Sequence, residues 1–342
     1  MEYVKLGKTD IKVNKNGFGA LPIQRATYEE SEKIIKKAFE NKITFFDTAR
    51  AYSNSEDKLA KALKDIPREE YYLASKSQSE TVDDFKKDLK TSLDELQTDY
   101  LDLYQFHNLP FVPYPDEENG LYDAMCEAKE EGLIKHIGIT SHKYTLALEA
   151  IDSGLYETLQ FPFSHITGVK ELDLVEKCEK NDIGFLAMKA MAGGLINNSK
   201  AAYAFMRHFR NVLPIWGIQK MSELDEFLSY QENPPTIDNE INKAIKKDRK
   251  ELGINFCRGC GYCMPCPEEI EINFCVRMSL WIRRFPTEPY LTEKYIKMME
   301  KTENCTECLK CIPKCPYEID IPKLLKENHE DYFNILNGKT KI

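Results

Sequence analysis

Cysteine placement constrains this chain more than any other feature. Eleven cysteines occur in 342 residues, yet only Cys126 and Cys178 precede residue 257. Eight of the remaining nine form two runs: Cys257-x2-Cys260-x2-Cys263-x2-Cys266-Pro267, and Cys305-x2-Cys308-x2-Cys311-x3-Cys315-Pro316. A [4Fe–4S] cube needs four thiolates around one compact object, and two-residue gaps let one loop wrap three of its corners. The fourth corner must come from a distant part of the chain. Zinc also takes four ligands per site, but a third C-x2-C step is unusual for it. Two [4Fe–4S] clusters are therefore expected, with these eight cysteines as ligands.

In two-cluster ferredoxins the last cysteine of each run serves the other cluster. On that rule one cube takes Cys257, Cys260, Cys263 and Cys315, and the other takes Cys305, Cys308, Cys311 and Cys266. The first run has two residues before its last cysteine, where the rule has three. Cys126, Cys178 and Cys275 are expected as core thiols. No apolar run approaches the ~20 residues of a membrane helix. The start, MEYVKLGKTD, lacks a signal-peptide pattern. A soluble cytoplasmic protein is expected, its cysteines serving metal rather than disulfides. The net charge of −9 comes without a dense basic tract, which argues against a nucleic-acid partner.

Before the cysteines, short apolar or β-branched runs alternate with charged stretches whose apolar residues recur at helical spacing. The runs are NGFGALPI, ITFFDTA, YYLASK, YLDLYQF, KHIGITS, TLQFPF, IGFLAMKA and LPIWGIQ. Eight strand-and-helix units predict an α/β fold, a (β/α)8 TIM barrel over residues 1–232, with a doubly wound sheet as the alternative. Residues 3–13 read as a hairpin ahead of it. Thr27 and Thr81 read as helix N-caps, and Gly132 and Gly154 as helix ends. Residues 233–256, which hold Pro234-Pro235 and a charged helical stretch, read as linker and helix. A small ferredoxin-like iron–sulfur domain is expected over 257–335, and GKTKI as a frayed tail.

The segment that begins at Asp47 and holds Tyr52 follows the second expected strand, Lys76 ends the third and His107 ends the fourth. Barrels of this kind keep active sites at the C-terminal ends of their strands. The segments LGKTDIKVNKNGFGA, FFDTARAYSNSE, ASKS, DLYQFHN and GLIKHIGIT, in that order, make the sequence resemble the aldo-keto reductase family. The cysteine-rich end resembles that family's iron–sulfur branch. The resemblance implies a catalytic tetrad of Asp47, Tyr52, Lys76 and His107. Tyr52 would protonate the alkoxide left by hydride transfer to a carbonyl, and Lys76 would lower the phenol's pKa. Asp47 would hold Lys76, and His107 would orient the carbonyl.

The resemblance also implies an NAD(P) site. Thr140 and Ser141 match a pair that holds the carboxamide, and Gln160 matches a glutamine on the sixth strand. Met188 stands where many members stack a tyrosine. Lys189 and Lys220 offer positive charge. Glu223 falls where an arginine often meets the 2′-phosphate, and Phe227 where an asparagine meets the adenine. An acid there disfavours NADP. A flavin is a further candidate, because hydride carries two electrons and a cluster passes one.

The leading expectation is an oxidoreductase acting on a small carbonyl or alcohol substrate. The alternatives are a reductase fed by a redox partner such as ferredoxin, and a non-catalytic barrel that senses or carries electrons.

Overall fold

The computed structural model of the chain describes residues 2–252, 256–284 and 287–340. Part of the expected linker (253–255) and the last two residues of the expected tail lie outside them. The chain divides into two compact units, Met1–Ala190 with Ser199–Asn242, and Met191–Asn198 with Lys243–Ile342.

The first unit opens with an antiparallel pair, β1 (Tyr3–Lys5) and β2 (Lys12–Asn14). Eight further strands follow: β3 (Gly17–Gly19), β4 (Phe45–Asp47), β5 (Tyr72–Ser77), β6 (Leu101–His107), β7 (Ile134–Thr140), β8 (Thr158–Pro162), β9 (Gly184–Met188) and β10 (Val212–Gly217). They pair in parallel and close into a barrel, with β10 beside β3. All eight runs read as strands from the sequence supply one each. The intervening helices are α1 (Tyr28–Glu40), α2 (Ser55–Leu63), α3 (Val82–Leu96), α4 (Leu121–Glu130), α5 (Tyr144–Ser153), α6 (Val169–Lys180), α7 (Ser199–Met206) and α8 (Met221–Glu232).

Local chemistry sets the helix ends. Thr27 accepts the Glu30 N–H at 3.2 Å while the Glu30 carboxylate accepts the Thr27 N–H at 2.8 Å, a reciprocal cap on α1. The Thr81 hydroxyl accepts the Asp84 N–H at the start of α3. Gly154 ends α5 with φ of 70°, where a Cβ would be strained.

The hairpin closes one end of the barrel. Its Val4, Leu6, Ile11 and Val13 share a buried cluster with Phe45, Ala74, Leu103, Leu186, Leu213 and Ile215. Close approach here demands glycine. Gly7 has φ of +52°, and a Cβ on it would lie 2.3 Å from the Asp182 carbonyl oxygen.

The helix α9 (Asn239–Leu252) runs from the first unit into the second, where α10 (Ile272–Cys275), α11 (Met278–Arg284), α12 (Glu293–Glu300) and α13 (Ile321–Leu336) follow. The core of the second unit gathers Ile270, Ile272, Met278, Ile282, Met299, Leu325 and Tyr332. Cys257, Cys266, Cys305, Cys311 and Cys315 pack against this core.

Candidate active site and cysteine-lined hollows

Asp47, Lys76 and His107 sit on β4, β5 and β6, at or next to the strand ends that also begin the connections to the following helices. Lys76 and Asp47 are both buried. The Lys76 Nζ donates to Asp47 Oδ2 at 2.8 Å and to the Thr48 carbonyl at 2.6 Å. Tyr52 follows β4 in a turn, its N–H bonded to the Ala49 carbonyl at 2.9 Å. Its ring centroid lies 5.2 Å from the Lys76 ammonium and 5.8 Å from the His107 ring, which meets it edge-on. The structure thus brings the four tetrad residues together.

Buried hydroxyls pin the turn that carries Tyr52. Thr48 Oγ1 donates to Ser55 Oγ, which donates to the Ala20 carbonyl, both at 2.9 Å. Glu56, 1% exposed, accepts from Ser75 at 2.6 Å and pairs with Arg50. Sequence reasoning missed both Glu56 and the Thr48 carbonyl. An acid directly after the tyrosine turn was the available signal for Glu56.

The electrostatics differ from expectation in one respect. The sequence reading has Lys76 lowering the Tyr52 phenol. In the structure burial, and then the Asp47 carboxylate, push that phenol well above its ordinary value. The reason is burial first, which penalises a phenolate, and then repulsion of that phenolate by the Asp47 carboxylate. Burial also lowers Lys76, against the pull of Asp47. His107 is drawn down to about 3, by burial and then by the Lys76 charge. It is a neutral imidazole at any ordinary pH.

Thr140 and Gln160 end up side by side, paired in register on β7 and β8, and His107 pairs with Thr140. Among the described residues, Thr140 Oγ1 and Gln160 Oε1 are buried without a hydrogen-bond partner. Such atoms suit a carboxamide, which both donates and accepts. Ser141 is buried beside them, its N–H bonded to the Gln160 carbonyl at 3.1 Å. Met188 ends β9, and Lys189 follows with φ of 56°. Lys220 is the exposed N-cap residue of α8. Glu223 folds back over that helix start and accepts the Gln219 and Lys220 N–H groups at 2.8 and 3.0 Å. Phe227 is 6% exposed and stacks on Trp216, with centroids 4.5 Å apart.

The cysteines line two hollows. One is walled by Cys257, Cys260, Cys263 and Cys315. The other is walled by Cys266, Cys305, Cys308 and Cys311, and Cys263 lines both. Among the described residues no group of three or more such side chains is arranged around a single metal ion. Four cysteines facing one hollow suit a cubane's four corners. Cys178 and Cys275 are buried, and Cys126 is half-buried.

The comparisons with known proteins follow the same division. Residues 15–208 match the model of the aldo/keto reductase family, and residues 256–320 match a 4Fe-4S dicluster domain. An L-galactose dehydrogenase of Arabidopsis thaliana is 29% identical over 216 residues, covering 57% of this chain and 67% of the relative. A methylglyoxal reductase of Escherichia coli O157:H7 is 40% identical over 121 residues, 35% of this chain and 43% of the relative. Among solved structures, an aldo-keto reductase from Bacillus halodurans in its holo form aligns with a TM-score of 0.63 at 21% identity. It covers 72% of this chain and 96% of its own, and establishes the fold. The chain belongs to the aldo/keto reductase family of oxidoreductases, and carries a 4Fe-4S dicluster domain after its barrel.

Proposed function

We propose that the barrel interconverts a small carbonyl compound and its alcohol, with Tyr52 as proton donor in the reducing direction. The observation that carries this reading is the convergence of Tyr52, His107 and the Asp47–Lys76 pair at neighbouring strand ends. A phenol raised by burial keeps its proton at neutral pH. It still gives that proton to an alkoxide, which is a far stronger base. Neutral His107 donates one N–H to the carbonyl oxygen and stabilises charge developing there. The Lys76 ammonium stands 5.2 Å from the centre of the Tyr52 ring, and Asp47 and the Thr48 carbonyl keep it in place. A bound nicotinamide supplies the hydride. Thr140, Ser141, Gln160 and Met188 would hold its ring end, and Lys189 and Lys220 would offer charge to its phosphates. The named activities of the plant and bacterial relatives support a small oxygenated substrate.

NADH is the proposed donor. The Glu223 carboxylate already accepts the Gln219 and Lys220 N–H groups just before α8, and it would repel a 2′-phosphate. The eight motif cysteines would hold two clusters in crossed sets, which the linings of the two hollows support. A second reading, electron delivery by a redox partner such as ferredoxin, is favoured by the exposure of Cys308 and of Leu309 beside it. A panel of aldehydes and ketones, offered with NADH, NADPH and chemically reduced clusters as separate donors, tests these readings. NADH-driven turnover is expected, and Glu223→Gln should raise the relative rate with NADPH. Turnover with reduced clusters alone would favour the second reading.

A further inference from the structure

Arg277 lies between α10 and α11 and is 6% exposed. Its Nε donates to the Asn273 carbonyl at 3.0 Å, and its guanidinium lies 4.7 Å from the centre of the Trp281 ring. The guanidinium fills the space left open at Gly259, between Cys257 and Cys260. A Cβ on Gly259 would lie 2.6 Å from Arg277 Nη1 and 2.7 Å from its Cζ. Both Cys257 and Cys260 lie within its electrostatic reach. Among the described residues no carboxylate forms an ion pair with it. Arg258, half-buried, also lines the hollow of Cys257, Cys260, Cys263 and Cys315, whereas the charged residues at the other hollow are Glu268, Glu307 and Lys310, all exposed.

A guanidinium keeps its proton at any working pH. A buried cation acts through a low dielectric, whereas exposed charges are screened by water and salt. One-electron reduction of a cluster adds one negative charge. A fixed cation beside one cluster and not the other therefore makes their reduction unequal.

We propose that Arg277 is a positioning residue for electrons: its buried charge raises the reduction potential of the cluster held by Cys257, Cys260, Cys263 and Cys315, and leaves the second cluster unaffected. This rests on the two-cluster reading above. Gly259 is the small residue that admits the guanidinium between two ligands.

The test uses the full chain, purified without oxygen, with iron and sulfide measured before any potential. Wild type, Arg277→Met and Arg277→Lys are then titrated with dithionite while electron paramagnetic resonance follows each cluster. Cys308→Ser, which perturbs the second cluster, identifies which signal belongs to which. In Arg277→Met the first cluster should become about tenfold harder to reduce, which is ~59 mV for a one-electron couple. The second cluster should not move, and Arg277→Lys should restore most of the shift. Unchanged potentials, or equal shifts in both clusters, overturn the proposal. Loss of first-cluster iron in the Met and Lys variants alike would make Arg277 a structural prop and also overturn it. Wild-type protein without iron and sulfide would instead defeat the cluster reading itself.

Discussion

At the scale of single residues, the Asp47–Lys76 pair decides most. Both side chains are buried and 2.8 Å apart. Breaking a buried pair by removing one partner strands the other's charge, at about 3–5 kcal/mol. Lys76→Met should therefore destabilise the barrel by about that amount in urea unfolding followed by circular dichroism. Adding Asp47→Asn should recover most of the loss; a double variant no more stable than Lys76→Met would show that the pair is not the cause. That Asp47, Tyr52, Lys76 and His107 come together was legible because they lie at or just after successive strand ends of a barrel. The direction of the Tyr52 shift was not, because sequence does not reveal the burial of the phenol or the nearness of the Asp47 carboxylate. Phe227 shows a similar gap. Its place in the sequence resembled a nucleotide contact, while its stack on Trp216 depends on a pairing 11 residues apart that only the fold creates.

At the scale of elements, the strands were read from apolar and β-branched runs, and the helix ends from Thr27, Thr81 and Gly154. What no periodicity reveals is how the elements are clamped. His136 on β7 links Glu157 at 2.8 Å to Asp10, beside β2, at 2.6 Å. Burial opposes the His136 charge, but the Glu157 and Asp10 hydrogen bonds outweigh it and raise its pKa. For Glu157, burial is outweighed by bonds from His136, Lys129 and the Ile137 N–H, which take it to about 2. The signs then follow. A depressed acid stabilises the fold above its unfolded value near ~4.3, and that contribution fades as pH falls toward 2. A raised histidine stabilises below ~6.5, and its contribution is lost as pH rises through the folded value. This clamp is strongest between those limits. Glu157→Gln should cost roughly 2–3 kcal/mol at pH 5.5, and much less at pH 2. Equal losses at both values would show that the clamp is not ionic.

At the scale of the whole molecule, two units each carry their own core and their own chemistry. The cysteine runs stood out by their spacing, and the crossed fourth corner was expected only from the two-cluster ferredoxin rule, from which the first run departs by one residue. That corner depends on how the loop before α10 and the loop before α13 come to face common hollows. Crossed ligation predicts that Cys315→Ala perturbs the cluster fed by Cys257–Cys263, and Cys266→Ala the other, each read by electron paramagnetic resonance. Loss of the second-run cluster in Cys315→Ala would mean local ligation instead. About eight iron and eight sulfide per chain are expected. The central claim is that Tyr52 protonates a substrate carbonyl, a step worth roughly 10²–10⁴-fold. The most direct measurement is turnover of wild type and Tyr52→Phe on the best substrate from the carbonyl panel, with iron and sulfide determined on the same samples. A loss of roughly 10²–10⁴-fold with both clusters intact is the predicted result. Full turnover in Tyr52→Phe would contradict it.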